Sequence, residues 1–262
     1  VLKRTGNTRA ANAKLEKLVK AKPGDQDLNE EYVGLHMDKA NVALQTGSYD
    51  DAIPELQLVQ QKTSDPEGKR SCAMKLFNCY LQTRDLEKAT AQLETIKGQY
   101  SSSRYNLSRV EILNMQKKDY EALNVLKQAY KEASDPDEKQ AYSDAYEEMV
   151  YPKIKELMGE GLIKPANAMA MEALEICPKS QLIYHQAVST ATSLGKKDDY
   201  NRLISESRQY FPDDPYFILK EANVLSGNGE YERAKEMLRP LLDTYVGDTA
   251  IIKAYASNCE ML

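Results

Sequence analysis

Two histidines, His36 and His185, and four cysteines, Cys72, Cys79, Cys177 and Cys259, are the side chains in this 262-residue sequence best suited to metal binding or nucleophilic chemistry. Neither histidine has an acidic or thiol neighbour at ligand spacing. There is no Cys-x-x-Cys, no His-Glu-x-x-His and no Gly-rich loop able to cradle a phosphate. Cys72 and Cys79 stand two helical turns apart, about 10 Å along one face, and a disulfide needs Cα atoms within about 7 Å. The four cysteines are therefore read as buried, reduced thiols acting as small apolar side chains. The many Asp and Glu residues read as solvated outer faces of helices. No catalytic residue, metal or cofactor is expected, and the chain is read as not an enzyme.

The positioning elements follow from composition. Charged residues make up 29% and hydrophobic residues 42% of the chain, with a net charge of -5. Gly and Pro number only 12 and 10, leaving few turns for an all-β fold. Ala, Glu, Lys, Leu and Gln recur throughout, and these lose least in a helix. The acidity argues against a nucleic-acid partner, which calls for a clustered basic face. No apolar run approaches the roughly 20 residues that cross a bilayer, so no direct membrane insertion is expected. Val1 in place of Met reads as a trimmed start, which could have removed a targeting segment. Unpaired thiols favour a cytoplasmic setting; a leader before Val1 would imply a periplasmic one.

One phrase recurs along the whole sequence. "GSYDDAIPELQLV" places Gly47, Tyr49, Ala52, Leu56 and Val59, and "GEYERAKEMLRPLL" places Gly229, Tyr231, Ala234, Leu238 and Leu241 at the same spacing. Weaker copies run through Gly6, Ala11, Leu15 and Leu18; Leu86, Ala89, Leu93 and Ile96; Ala122, Leu126 and Ala129; Gly161, Ala166, Ala170 and Ala173; and Gly195, Tyr200, Ile204 and Ser207. The small residue and those four and seven positions later share one helix face. The Gly stands in the turn before that helix. Another amphipathic segment separates consecutive copies, so each unit is a helix, a tight turn, a second helix and a loop.

These residues resemble the tetratricopeptide repeat family, whose unit is about 34 residues. Ala166 to Tyr200 and Tyr200 to Ala234 are each 34 residues, whereas Ala122 to Ala166 is 44. The resemblance implies an all-α fold, a right-handed α-solenoid of stacked antiparallel helix pairs. It divides residues 1–262 into a partial unit 1–25, complete units 26–66, 67–101, 102–134, 135–178, 179–212 and 213–246, and a partial unit 247–262. The long unit reads as one helix with Pro152 inside, either a tolerated bend or a reset of the superhelix near 150–160. Pro54 and Pro240 also fall within helices, and Pro165 falls in a first turn.

In this family the leading helix of each pair lines a concave, peptide-binding groove. The resemblance puts Asn41, Asn78 and Asn223 at one groove position in three units. One turn earlier come Asp38, Lys75, Ser108, Gln186 and Lys220, with Arg104, Met37, Met74, Glu111, Asn114 and His185 flanking. An Asn side chain donates and accepts at once, so it can hold the peptide bond of an extended ligand, or be a tolerated polar residue. The family's co-chaperone carboxylate clamp is incomplete: Asn41 and Arg104 fit it, but Met37, Ser108 and Lys75 do not. The expected function is a non-catalytic scaffold binding a protein or peptide segment. The alternatives are a structural solenoid in a secretion or envelope assembly, such as the periplasmic arm of a polysaccharide exporter, and a regulatory arm of an enzyme. Ile251, Ile252 and Tyr255 on the last helix, with Leu15 and Leu18 on the first, are expected to form apolar ends open to end-to-end self-association.

Overall fold

The computed structural model describes residues 8–262; Gly6, assigned to the first copy of the phrase, lies outside them. The chain divides into two compact units, Val1–Ala129 and Tyr130–Leu262. Among the described residues the regular elements are fourteen α-helices and no strand. They are α1 (Thr8–Ala21), α2 (Gln26–Gln45), α3 (Tyr49–Lys62), α4 (Pro66–Gln82), α5 (Leu86–Thr95), α6 (Ser102–Met115) and α7 (Asp119–Glu132), then α8 (Pro136–Gly159), α9 (Ile163–Ile176), α10 (Gln181–Ser193), α11 (Lys197–Tyr210), α12 (Pro215–Gly227), α13 (Tyr231–Thr244) and α14 (Thr249–Glu260). Within each unit, helices pack chiefly on their neighbours in sequence, giving an all-α solenoid of helix pairs.

Even-numbered helices lead each pair and odd-numbered ones trail, and the two kinds begin differently. Every leading helix has a side-chain cap: Asp25, Asp65, Ser101, Asp135, Ser180, Asp214 and Asp248 each accept a hydrogen bond from a first-turn backbone N–H. Pro66, Pro136 and Pro215 occupy the first helical position of α4, α8 and α12, where no N–H is required. Trailing helices α3, α9, α11 and α13 lack such caps, because a hydrogen-bonded turn delivers the chain to them.

That turn is the same six times. After α2, the Ser48 N–H donates to the Ala43 carbonyl at 2.8 Å and the Gly47 N–H to that of Leu44 at 3.2 Å. After α12, Glu230 and Gly229 repeat the pattern on Leu225 and Ser226. The residue between must be left-handed, and Gly47 (φ 71°), Gly161, Gly195 and Gly229 (φ 84°) supply it without a Cβ penalty. Arg84 (φ 59°) and Lys117 (φ 60°) hold this position after α4 and α6. This reversal folds α3, α5, α9, α11 and α13 back against their leading helices.

Close packing explains the recurring small residue. Ala52, Ala89, Ala122, Ala166 and Ala234 are completely buried, as are Leu56, Leu126 and Leu238 four positions on. Burying one such Leu contributes roughly 1.5–3 kcal/mol. Tyr200 takes the Ala position in its copy and stays half-buried, its hydroxyl donating to the Lys220 carbonyl at 3.4 Å. Helix α8 runs unbroken for 24 residues with Pro152 inside, and Pro54 and Pro240 lie within α3 and α13.

Three details differ from the sequence reading. Leu18 is exposed and Val19 takes the buried place on α1, because contact with α2 selects the neighbouring side of that helix. On α14, Ile251 is buried against α12 and α13 with Tyr255 packed beside it, so only Ile252 of the three faces outward. Cys259 is exposed on the same helix, whereas Cys72, Cys79 and Cys177 are buried; all four are free thiols.

Candidate functional site

In the first unit the ammonium of Lys75 on α4 reaches back to α2. It donates to Asn41 Oδ1 at 2.7 Å and lies 3.6 Å from Met37 Sδ. The asparagine carbonyl is thereby spent within the protein, while its NH₂ group is not. Asp38 and Asn78 are exposed on the same two helices. Arg104 and Glu111 are exposed on α6, with the Arg104 guanidinium 5.0 Å from the Tyr100 ring centroid. Met74, expected to flank this surface, is instead buried in the core with Leu76 and Phe77. Lys75, Asn41 and Met37 come together; Asp38, Asn78, Arg104 and Glu111 stand separately on their helices.

In the second unit His185 and Lys220 meet on one ring. The imidazole of His185 lies 4.3 Å from Tyr216 at a tilt of 30°, and the Lys220 ammonium is 5.2 Å from the same ring centroid. His185 also meets Phe217 edge-on at 4.6 Å. Gln186 is half-buried on α10, its carbonyl taking the Thr190 hydroxyl, and Asn223 is exposed on α12.

Both histidines have a carboxylate partner, contrary to the sequence reading. His185 Nε2 is 3.0 Å from Asp214 Oδ2, and His36 Nδ1 contacts Glu55 Oε2. Asp214 caps α12, the next leading helix, and Glu55 lies on α3, the partner of α2; the separations of 29 and 19 residues leave no local spacing that reveals them. Asp214 is buried, and burial alone would raise its pKa. Hydrogen bonds from Gln181, His185 and the Tyr216 backbone outweigh that and hold the carboxyl below its ordinary value. Among the described residues no hydroxyl or thiol is hydrogen-bonded to either imidazole, so neither pair forms a nucleophile–base arrangement. No group of three or more His, Cys, Asp or Glu among the described residues could hold a metal ion.

Two crevices, neither foreseen, open beside the N-terminal halves of leading helices. One, of about 560 Å³, lies between α2 and the α3–α4 connection, with Asn29, Val33 and Lys62 in its walls. The other, of about 330 Å³, lies between α8 and the α9–α10 connection, where Ser143, Asp144, Glu147 and Cys177 line it. The Cys177 thiol donates to the Ser143 carbonyl at 3.3 Å. Burial, above all, pushes its pKa up to about 11.

No curated protein matches the chain. Among solved structures, Naa15/Naa10 bound to HypK-THB matches 99% of this chain at 17% identity and a TM-score of 0.50; the chain spans 39% of that one. The TPR2AB-domain:pHSP90 complex of yeast Sti1 is 15% identical over 88% of this chain and 99% of its own, with a TM-score of 0.38. A tetratricopeptide repeat protein from Parabacteroides merdae is 11% identical over 98% of this chain and 94% of its own, also at 0.38. At such identities the likeness concerns fold alone. A family model of the tetratricopeptide repeat-like domain matches residues 4–159, and together with the six repeated turns and the buried alanine ladder it identifies the chain as a member of that family.

Proposed function

We propose that this protein is a non-catalytic interaction scaffold whose leading helices hold an extended segment of a partner protein. The repeat architecture makes a protein-interaction scaffold the natural role. The observation that carries the finer reading is the state of the asparagines. Asn78 and Asn223 are exposed on α4 and α12 and form no hydrogen bond among the described residues, and Asn41 keeps an unspent NH₂. Side chains that donate and accept at once, fixed on rigid helices, can pair with the backbone of a ligand whatever its sequence.

The test uses a partner segment recovered by cross-linking and verified with purified components. Asn41→Ala, Asn78→Ala and Asn223→Ala should each weaken binding by about 0.5–1.5 kcal/mol in calorimetry. The melting temperature should hardly change for the two exposed positions. A triple variant that binds with full affinity would move the contact elsewhere.

A further inference from the structure

The crevice beside α8 has a floor that is nearly shut off from solvent. Ile176 and Cys177 are 1% and 2% exposed. Ser143 is nine-tenths buried and lines the same crevice, and its hydroxyl makes no hydrogen bond among the described residues. The Ser143 oxygen itself keeps some contact with solvent, so its hydroxyl is open to a polar group that enters the crevice. Two carboxylates stand in the crevice wall, Asp144 as the next residue and Glu147 one turn further along α8. Asp144 takes a hydrogen bond from Gln140 Nε2 at 2.7 Å, and Glu147 has no hydrogen bond or ion pair among the described residues.

Two lysines, Lys139 and Lys179, also border the crevice. The Lys139 ammonium is drawn over the Tyr130 ring, 5.7 Å from the centroid. Burial above all, and then the nearby carboxylates of Glu147 and Asp144, raise the Cys177 thiol against the hydrogen bond to Ser143. Across Tyr130–Leu262 acidic side chains outnumber basic ones, which reinforces that field.

We propose that this crevice receives a basic side chain, arginine or lysine, from a partner protein segment. Its aliphatic stem would lie against Pro178 and Tyr130, with its charged head donating to the Ser143 hydroxyl and to the carboxylates of Asp144 and Glu147. This rests on the reading that leading helices receive a partner segment, and it adds a chemical preference at one place in the second unit.

The experiment titrates the ¹⁵N-labelled full chain with Nα-acetyl-arginine amide and follows backbone amide shifts. Saturable shifts should centre on Ser143, Asp144, Glu147 and Cys177. The uncharged isostere Nα-acetyl-citrulline amide should give none. Asp144→Asn combined with Glu147→Gln should lose the response, Glu147→Gln alone should weaken it, and Lys139→Gln should keep it. Unchanged amide positions outside the crevice would show that each variant is folded. The proposal is overturned if arginine amide gives no saturable shifts there, if citrulline amide matches it, or if the response survives loss of both carboxylates. Weakened partner binding by the asparagine variants, together with a blank arginine titration, would remove the crevice assignment and leave the scaffold reading intact.

Discussion

Asp214 does two tasks with one carboxylate. Its Oδ1 caps α12 through the Tyr216 N–H at 2.7 Å, and its Oδ2 receives Gln181 and His185 from α10. It thus ties one leading helix to the next, past the single trailing helix α11 between them. Because its pKa is lowered in the folded protein, the native state binds protons less readily than the unfolded chain. The stabilisation is therefore fully present above the ordinary carboxyl value of 3.8 and is lost as pH falls through the folded value. Asp214→Asn should cost about 1.5–3 kcal/mol near neutral pH, the range for hydrogen bonds to a charged group. The gap between wild-type and variant stability, read from urea melts, should narrow in acid. A gap of constant size from neutral pH to below 3.8 would refute the charged role. The sequence holds half of this: Asp–Pro at 65–66, 135–136 and 214–215 marks three leading-helix starts. The other half is hidden, since Gln181 and His185 reach Asp214 only through the stacking of repeats. His36 and Glu55 were invisible because the folding of α3 back on α2 brings them together across 19 residues, and an acid read as solvated surface proved to be a buried cap.

At the scale of the element, the helices were readable because their signals are local. Ala52–Leu56–Val59 and Ala234–Leu238–Leu241 each lie on one face, and the buried set follows that spacing. What spacing cannot supply is which of two adjacent residues a neighbour covers, as Leu18 and Val19 show. The turns carry a sharper test. The left-handed position takes Gly after α2, α8, α10 and α12 but Arg84 and Lys117 after α4 and α6, with identical bonding: Asp85 to Tyr80 and Lys118 to Leu113, each at 2.9 Å. A Cβ built on Gly47 or Gly229 meets nothing within 4 Å, so the objection to a side chain there is backbone conformation and not space. A side chain in that conformation costs roughly 1–2 kcal/mol, part of which glycine returns through the greater freedom of its unfolded chain. Arg84→Gly and Lys117→Gly should therefore raise stability by up to about 1 kcal/mol, and Gly47→Ala should lower it by a comparable amount. Thermal melts in which both glycine variants are less stable than wild type would mean that Arg84 and Lys117 supply contacts exceeding the strain.

At the scale of the molecule, the side-chain bonds between helices span about one repeat. Gln57 reaches Tyr80 across 23 residues, Asn41 reaches Lys75 across 34, and Ser226 reaches Asn258 across 32. A chain built this way has near-neighbour energetics: each pair is supported by the one before and the one after. Leu56 and Leu203 are completely buried, one in each compact unit, and offer matched probes of how far damage travels. Leu→Ala at such a site costs about 2–5 kcal/mol, through lost transfer energy and the cavity left behind. Leu56→Ala should speed amide exchange in α2, α3 and α4, which line its site, while α10 to α14 keep wild-type protection. Leu203→Ala should produce the reverse, with α10, α11 and α12 opening first and α2 to α4 unaffected. Hydrogen exchange read by mass spectrometry separates these outcomes, because local opening loosens amides in contiguous cooperative groups. If either substitution lowered protection by the same amount in both units, the chain would unfold as a single cooperative body. The near-neighbour account would then be wrong, although every contact on which it rests lies within one repeat of its partner.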